Sequence, residues 1–254
     1  MFVEERQSAI MELLRKDGKV RVKDLSERFK VTEDLIRKDL SALEEKGLLK
    51  KAYGGAVLRK ENIHKKTSAQ RKNVNTPEKV KIAKSALPLI HDGEVIFLDI
   101  STVSIEVARE LVKAQRQVTV VTNMLEVVMM LAKEECSVIF IGGEFDYGRD
   151  GFVGSLAIEM LKNFRFDISF LGVVGVDVHE NAVYTYMAND GVTKKEIMAC
   201  SKASYMMCEQ DKFTQVGNYR YASIDDFTGI IMNKEPDKEE KKALMKYQVE
   251  LICG

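Results

Sequence analysis

The sequence predicts an α/β protein in two parts, a small helical module at the front and a larger domain built on a mostly parallel sheet behind it. Three observations carry this. Short amphipathic helical patterns fill the first sixty residues, β-branched apolar runs alternate with helical patterns from residue 77 onward, and a polar stretch separates the two. At 254 residues the chain accommodates one small module and a domain of about 170 residues.

In the front module, Ile10, Leu13 and Leu14 share one face of a first helix, which Gly18 closes. Val22 to Phe29 is a short second helix presenting Leu25 and Phe29, and Lys30-Val31 makes a turn. Thr32 is a fitting N-cap for a third helix, with Glu33 and Asp34 in the first turn, where carboxylates suit the helix dipole. That helix buries Ile36, Leu40 and Leu43 and ends at Gly47. A short helix, a tight turn and a capped second helix form a helix-turn-helix. Leu35, Arg37, Lys38 and Ser41 then project away from the core. Arg37 and Lys38 can reach base edges or phosphates, and Leu35 can touch a thymine methyl. Leu48 to Val57, two strand-like runs around glycines, reads as a wing carrying Lys50, Lys51 and Tyr53 to a nucleic-acid backbone. The same spacing also fits a three-helix bundle with a solvated basic face.

Charge agrees with the nucleic-acid reading. The chain carries 39 basic and 39 acidic residues, yet residues 1–81 hold 21 Lys and Arg against 13 Asp and Glu, leaving 18 against 26 for residues 82–254. A basic front and an acidic back suggest that the front meets a polyanion.

Residues 59–76 read as a linker, poor in large apolar side chains, between a module at 1–58 and a domain at 77–254. Thr76 is placed to cap a helix with Pro77 at its first position. Behind it, strands are expected at 94–99, 117–122, 137–142, 167–174, 204–208, 228–232 and 249–252. Helices are expected at 103–113, 124–134, 154–163, 190–202 and 237–247. Ligands of parallel sheets bind at the carboxyl ends of the strands. There stand Asp99, Ser101 and Thr102 after one strand, Thr122 and Asn123 after the next, and Gly142 and Gly143 after the third. Hydroxyls and amides at 101–104, opening a helix, suit an oxyanion, and Lys195 and Lys212 are candidates to neutralise it. Simple helix capping by Ser101, Thr102 and Thr122-Asn123 is the competing reading.

Other chemistry finds little support. The four cysteines (Cys136, Cys200, Cys208, Cys253) and three histidines (His64, His91, His179) have no metal-ligand spacing, so neither a metal nor a cofactor is expected. The longest central apolar run, Ile168 to Val176, is far short of the roughly 20 residues that span a bilayer. The start is acidic where a signal peptide is basic; a cytoplasmic location is the expectation.

Several separated motifs agree with one known family. Glu5-Arg6, Val31-Thr32-Glu-Asp-Leu-Ile36-Arg37-Lys38-Asp39-Leu40, Leu43-Glu44, Gly47-Leu-Leu, Gly54-Gly55-Ala56 and the junction with Asn75, Glu78-Lys79 and Ile82-Ala83 resemble the DeoR family of bacterial transcription regulators. Asp99, Thr102, Thr122-Asn123, Gly142-Gly143, Gly154, Gly172, Gly175, Asp177, Lys195 and Lys212 resemble its sensor domain. The resemblance implies a winged helix-turn-helix followed by a Rossmann-like domain of the ribose-5-phosphate isomerase and glucosamine-phosphate deaminase type. It also implies a repressor of a carbohydrate-metabolism operon, with operator DNA and a phosphorylated metabolite as partners and a homo-oligomeric assembly. This chain has Leu35 where the family usually has Thr, Ser101 for Gly, Val103 for Thr, Glu209 for Asp and Ala182 for Gly. A pocket kept only for assembly, or an isomerase-like enzyme using Asp99, Glu209 and Lys212, are the alternatives.

Overall fold

The structure is a computed structural model that describes residues 3–46, 48–58, 72–134, 136–148 and 150–254. It divides into two compact units, residues 1–63 and 64–254. Gly47, read as the end of the third helix, and residues 59–71 of the expected linker lie outside the described residues.

The front unit runs α1 (Val3–Asp17), β1 (Lys19–Arg21), α2 (Val22–Phe29), α3 (Glu33–Glu45), β2 (Leu49–Ala52) and β3 (Gly55–Leu58). Gly18 ends α1 with φ 69, its N–H donating to the Leu14 carbonyl at 3.0 Å. Lys30, also left-handed at φ 53, makes the turn between α2 and α3. Ile10, Leu14, Leu25, Ile36, Leu40, Leu43 and Leu49 close over one core. Each such side chain contributes about 1.5–3 kcal/mol on burial. The wing is a three-stranded antiparallel sheet in the order β1-β3-β2. Sequence periodicity missed β1, because three residues between two helices leave no alternation to read. Gly55 is required where β3 crosses β1: a Cβ there would overlap the Val20 carbonyl oxygen.

An ion pair lies within this small core. Arg6 donates from Nε to Asp39 Oδ2 at 2.5 Å and from Nη2 to Oδ1 at 3.1 Å, with both side chains about 4% exposed. Gln7 Nε2 adds a bond to Asp39 Oδ1 at 3.4 Å. The hydrogen bond to Asp39 outweighs burial and raises the Arg6 pKa further above its ordinary value. Paired forks fix α1 against α3 in one rotation, and so decide which residues of α3 face outward.

The second unit begins with α4 (Thr76–Ala86). Asn75, left-handed at φ 53, holds the N-cap position and makes no side-chain cap bond. The expected Thr76 cap is therefore corrected by one residue; Thr76 Oγ1 donates instead to the Lys72 carbonyl at 3.1 Å. All seven expected strands form: β4 (Val95–Leu98), β5 (Thr119–Thr122), β6 (Ser137–Phe140), β9 (Phe166–Gly172), β12 (Ser201–Cys208), β14 (Gly229–Met232) and β15 (Glu250–Cys253). They make one parallel sheet in the order β15-β14-β12-β9-β4-β5-β6. One face is covered by Ile82, Val107, Leu111, Val127 and Leu131 from α4, α5 (Thr102–Lys113) and α6 (Leu125–Leu131). The other is covered by Ala157, Leu161, Ile197 and Leu244 from α7 (Ser155–Leu161), α8 (Ala188–Ala199) and α9 (Lys238–Leu244). Burial on both faces explains why the inner strands β4, β5, β9 and β14 are apolar runs without alternation.

Two smaller sheets were not foreseen. β7 (Glu144–Asp146) and β8 (Gly151–Val153) form a hairpin, and β10 (Gly175–Asp177), β11 (Ala182–Thr185) and β13 (Tyr219–Ala222) form an antiparallel sheet. Ala182 is fully buried in β11, in backbone that does not need glycine.

Breaking the Arg6–Asp39 pair from one side leaves a buried charge uncompensated, which typically costs about 3–5 kcal/mol. Arg6→Ala is expected to lower amide protection throughout α1 and α3 in hydrogen exchange on the full chain, while β4 and β9 keep theirs. Unchanged protection in α3 would show that the pair does not hold the front unit together.

Candidate functional site

The outward face of α3 carries most of the predicted front residues. Thr32 Oγ1 accepts from the Leu35 N–H at 3.3 Å and caps the helix. Arg37 and Lys38 are exposed and Leu35 is half-buried. Arg37 does not stand alone: its guanidinium pairs with Glu33 at 2.5 Å and Asp34 at 2.6 Å, one turn earlier on the same helix. These pairs are exposed, so each is worth little, and a phosphate or guanine can take the fork from them. The wing is tied to the same helix through Lys51, whose Nζ donates to Ser41 Oγ at 2.9 Å and whose N–H donates to Glu44 Oε1 at 2.8 Å. Lys50 and Tyr53 are exposed on the wing. Sequence reading assigned no role to Arg6 and Asp39, although both stood in the quoted motifs.

In the second unit the polar residues gather at the carboxyl edge of the sheet around Asp99, which is 1% exposed. Its Oδ2 accepts from the Gly172 N–H at 2.9 Å and from Lys194 Nζ; its Oδ1 accepts from Ser104 Oγ at 3.0 Å. Lys194 also donates to the Gly172 carbonyl at 3.1 Å. The acid thus joins the end of β4 to the end of β9, to the first turn of α5 and to α8. Ser101 caps α5, its Oγ accepting from the Ser104 N–H at 3.1 Å and sharing a hydrogen bond with Ser104 Oγ at 2.8 Å. Its φ of −138 is ordinary extended backbone, so a serine stands here without strain. It packs so closely on Gly172 that a Cβ at 172 would overlap its own. Val103 turns into the apolar core with Ile82 and Val107, so its missing hydroxyl is not a loss to the cluster.

The remaining predicted residues are spread over the strand ends and beyond. Thr122 and Asn123 adjoin Asp99 on the neighbouring strand end. Thr122 Oγ1 donates to the Leu98 carbonyl at 2.7 Å and accepts from the Met124 N–H at 3.1 Å, and Asn123 Nδ2 donates to the Phe152 carbonyl at 2.7 Å. Thr102 opens α5, partly exposed. Gly142 and Gly143 follow β6, with Gly143 pressed against Val153 and Ala157. Lys212 is half-buried, its Nζ 3.4 Å from Gln215 Oε1. Two residues are not where the sequence reading put them. Glu209 is buried but turned to Asn75, whose Nδ2 donates to it at 2.9 Å. Lys195 is exposed on the outer side of α8, lining an open cleft of about 490 Å³ with Met198, Arg220, Tyr221 and Asp226. The lysine on Asp99 is its neighbour Lys194. Adjacent lysines on a helix point about 100° apart, and nothing in a Lys-Lys pair says which one faces inward.

The buried polar atoms next to this cluster are not all satisfied. The Tyr221 hydroxyl and Asn123 Oδ1 are buried without a hydrogen bond among the described residues. Burial, reinforced by Asp99 and Asp190, pushes the Tyr221 phenol well above its ordinary pKa, so it stays neutral and able to donate. A buried donor without a partner costs about 1–3 kcal/mol. Tyr221→Phe is therefore expected to raise the thermal unfolding temperature of the ligand-free chain. A lowered temperature would mean that the hydroxyl is already satisfied.

Two family models match the chain, one for each unit. Residues 6–62 match the model of the DeoR-like helix-turn-helix domain, and residues 74–234 that of the DeoR C terminal sensor domain. The chain is 32% identical over 217 residues to the lactose phosphotransferase system repressor of Lactococcus lactis subsp. lactis, covering 84% of each chain. It is 28% identical over 251 residues to the glycerol-3-phosphate regulon repressor of Escherichia coli (strain K12), covering 98% of each. Among solved structures, ribose 5-phosphate isomerase A of Methanocaldococcus jannaschii is similar over 54% of each chain, at 18% identity and a TM-score of 0.41. With one family model on the front unit and another spanning most of the second, the chain belongs to the DeoR family of transcription regulators.

Proposed function

We propose that the protein is a sequence-specific repressor of a carbohydrate-metabolism operon, acting in the cytoplasm as a homo-oligomer and controlled by a phosphorylated sugar or related metabolite. The observation that carries the first part is α3, with Arg37 and Lys38 exposed on a helix whose rotation the buried Arg6–Asp39 pair fixes. Arg37, released from Glu33 and Asp34, reads guanine or phosphate; Lys38, Lys50 and Lys51 add phosphate contacts, and Leu35 meets a thymine methyl. Relatives named as repressors of a lactose transport system and of a glycerol-3-phosphate regulon support the operon class.

For the effector, the support is the cluster at the strand ends. The α5 turn at 101–104, the buried Lys194 and the unpaired Tyr221 hydroxyl offer groups for an anionic, hydroxyl-bearing ligand. Thr102, Thr122, Asn123, Gly142, Gly143 and Lys212 line the same edge in this reading. The site binds and does not turn over substrate: Asp99 already accepts three hydrogen bonds, and Glu209 is engaged by Asn75. One observation favours a second reading, a pocket kept for assembly alone, since Lys194 is already neutralised by Asp99.

Two experiments separate these readings. Arg37→Ala with Lys38→Ala is expected to abolish the specific footprint. A base-reading arginine is worth about 1–3 kcal/mol and each lost phosphate contact lowers the salt slope by about one. An unchanged footprint would remove α3 as the reading helix. A thermal-shift screen of phosphorylated sugars on the full chain is expected to find a stabilising compound, worth about 2.7 kcal/mol at a hundredfold excess over Kd. That shift should vanish in Lys212→Ala. No shift from any phosphorylated sugar, with operator binding intact, supports the assembly reading.

A further inference from the structure

Arg37, Ser41 and Glu44 are spaced at i, i+4 and i+7 on α3 and share one stripe of the helix. Arg37 and Ser41 suit a surface that meets DNA. Glu44 does not, because a carboxylate repels phosphate, and its place on this stripe needs another reason. That reason is what it holds: Glu44 Oε1 accepts from the Lys51 N–H at 2.8 Å.

Strand order explains why this N–H is there to be taken. β2 is an outer strand of the wing sheet, whose order is β1-β3-β2. An outer strand directs every second N–H away from its partner, and such a row stays bare unless another element covers it. On the far side the sheet is anchored by the β1–β3 ladder and by the Val22 N–H, which donates to the Gly54 carbonyl at 2.9 Å. On the β2 side, Glu44 of α3 meets the wing backbone. Side-chain alternation then sets the two wing lysines apart. Lys51 shares a face with Leu49, which is buried in the core, so Lys51 is turned to α3 and Lys50 to the opposite face. Lys51 Nζ donates to Ser41 Oγ at 2.9 Å, and that hydroxyl donates to the Arg37 carbonyl at 2.9 Å. Backbone and side chain of one wing residue are thus both seated on the stripe that carries Arg37.

We propose that Glu44 is the positioning residue of the wing: its carboxylate oxygen fixes the wing backbone at Lys51 and sets Lys50, Lys51 and Tyr53 at one offset from Arg37. This rests on the reading of α3 and the wing as the DNA-binding face. Phosphate contacts from the wing and base contacts from α3 are then made in a single register on the duplex. What counts in Glu44 is an acceptor at that reach; its negative charge opposes binding.

The test sets reach against charge in the full-length chain, on a duplex carrying the site that the wild type protects. Glu44→Asp keeps the charge and draws the oxygens back by one methylene, whereas Glu44→Gln keeps an oxygen at the same reach and removes the charge. In hydrogen exchange without DNA, the Lys51 amide is expected to exchange about tenfold faster in Glu44→Asp and at the wild-type rate in Glu44→Gln. The Leu40 amide, inside α3, is expected to stay unchanged in both. In a salt titration of DNA affinity, Lys50→Ala is expected to lower the salt slope by about one. Glu44→Asp is expected to lower it by about one or more and to weaken binding about tenfold, while Glu44→Gln binds at least as tightly as the wild type. Wild-type exchange of the Lys51 amide in Glu44→Asp overturns the positioning role, and so does affinity that falls in both variants or in neither. A Leu40 amide that speeds up together with Lys51 makes Glu44 a general brace of the unit and overturns it as well. A slope unchanged in Lys50→Ala removes the wing from the DNA and the proposal with it; a slope lowered in Lys50→Ala but not in Glu44→Asp sinks the positioning role alone.

Discussion

The second unit depends on one buried ion pair, Lys194 on Asp99. Taking a carboxylate and an ammonium out of water costs several kcal/mol for each ion, and their attraction offsets this only when the remaining hydrogen-bonding capacity is also met. Here it is met for the acid, by the Gly172 N–H and by Ser104 Oγ. The pair therefore contributes placement more than stability. It fixes the end of β4 beside the end of β9, sets the first turn of α5, and draws α8 over the carboxyl edge. The Ser101 turn takes its position from that arrangement.

The front unit solves a similar problem at smaller scale. A core of about ten side chains supports three helices and a wing, and such a core by itself leaves helix rotation loosely specified. Arg6 and Asp39 remove that freedom, since a bidentate fork tolerates one relative orientation of α1 and α3. Arg37 is in turn held by Glu33 and Asp34. These exposed pairs on the outward face of α3 hold the guanidinium at the helix surface.

Much of this was legible in the sequence, for reasons that can be named. The inner parallel strands appeared because burial on both faces leaves unbroken apolar runs, and α3 because Thr32, Glu33 and Asp34 announce its start. β1, the β7–β8 hairpin and the β10-β11-β13 sheet were not legible: their strands are three or four residues long, below the length at which a two-residue period can be told from chance. At the site, Asp99, Ser101 and Thr122-Asn123 were visible as polar residues closing apolar runs. Lys194 was hidden by its neighbour Lys195, since only packing decides which of two adjacent lysines is drawn inward. Ser101 and Val103 looked like changes to the pocket interior; one proves to be an unstrained cap packed on Gly172 and the other a core residue. The contact of Asn75 with Glu209 joins residues 134 positions apart in the chain, which no local pattern records.

On the proposed function, an anionic sugar derivative at the Asp99–Lys194 cluster alters the grip of α3 on DNA. It is tested most directly by titrating the wild-type chain on its operator, followed by fluorescence anisotropy, in parallel with phosphorylated sugars, the same sugars without phosphate, and inorganic phosphate at matched ionic strength. At least one phosphorylated sugar is expected to change operator affinity about fivefold or more while its unphosphorylated parent does not. Operator affinity indifferent to every phosphorylated sugar, or equally responsive to the parent sugars, would contradict it.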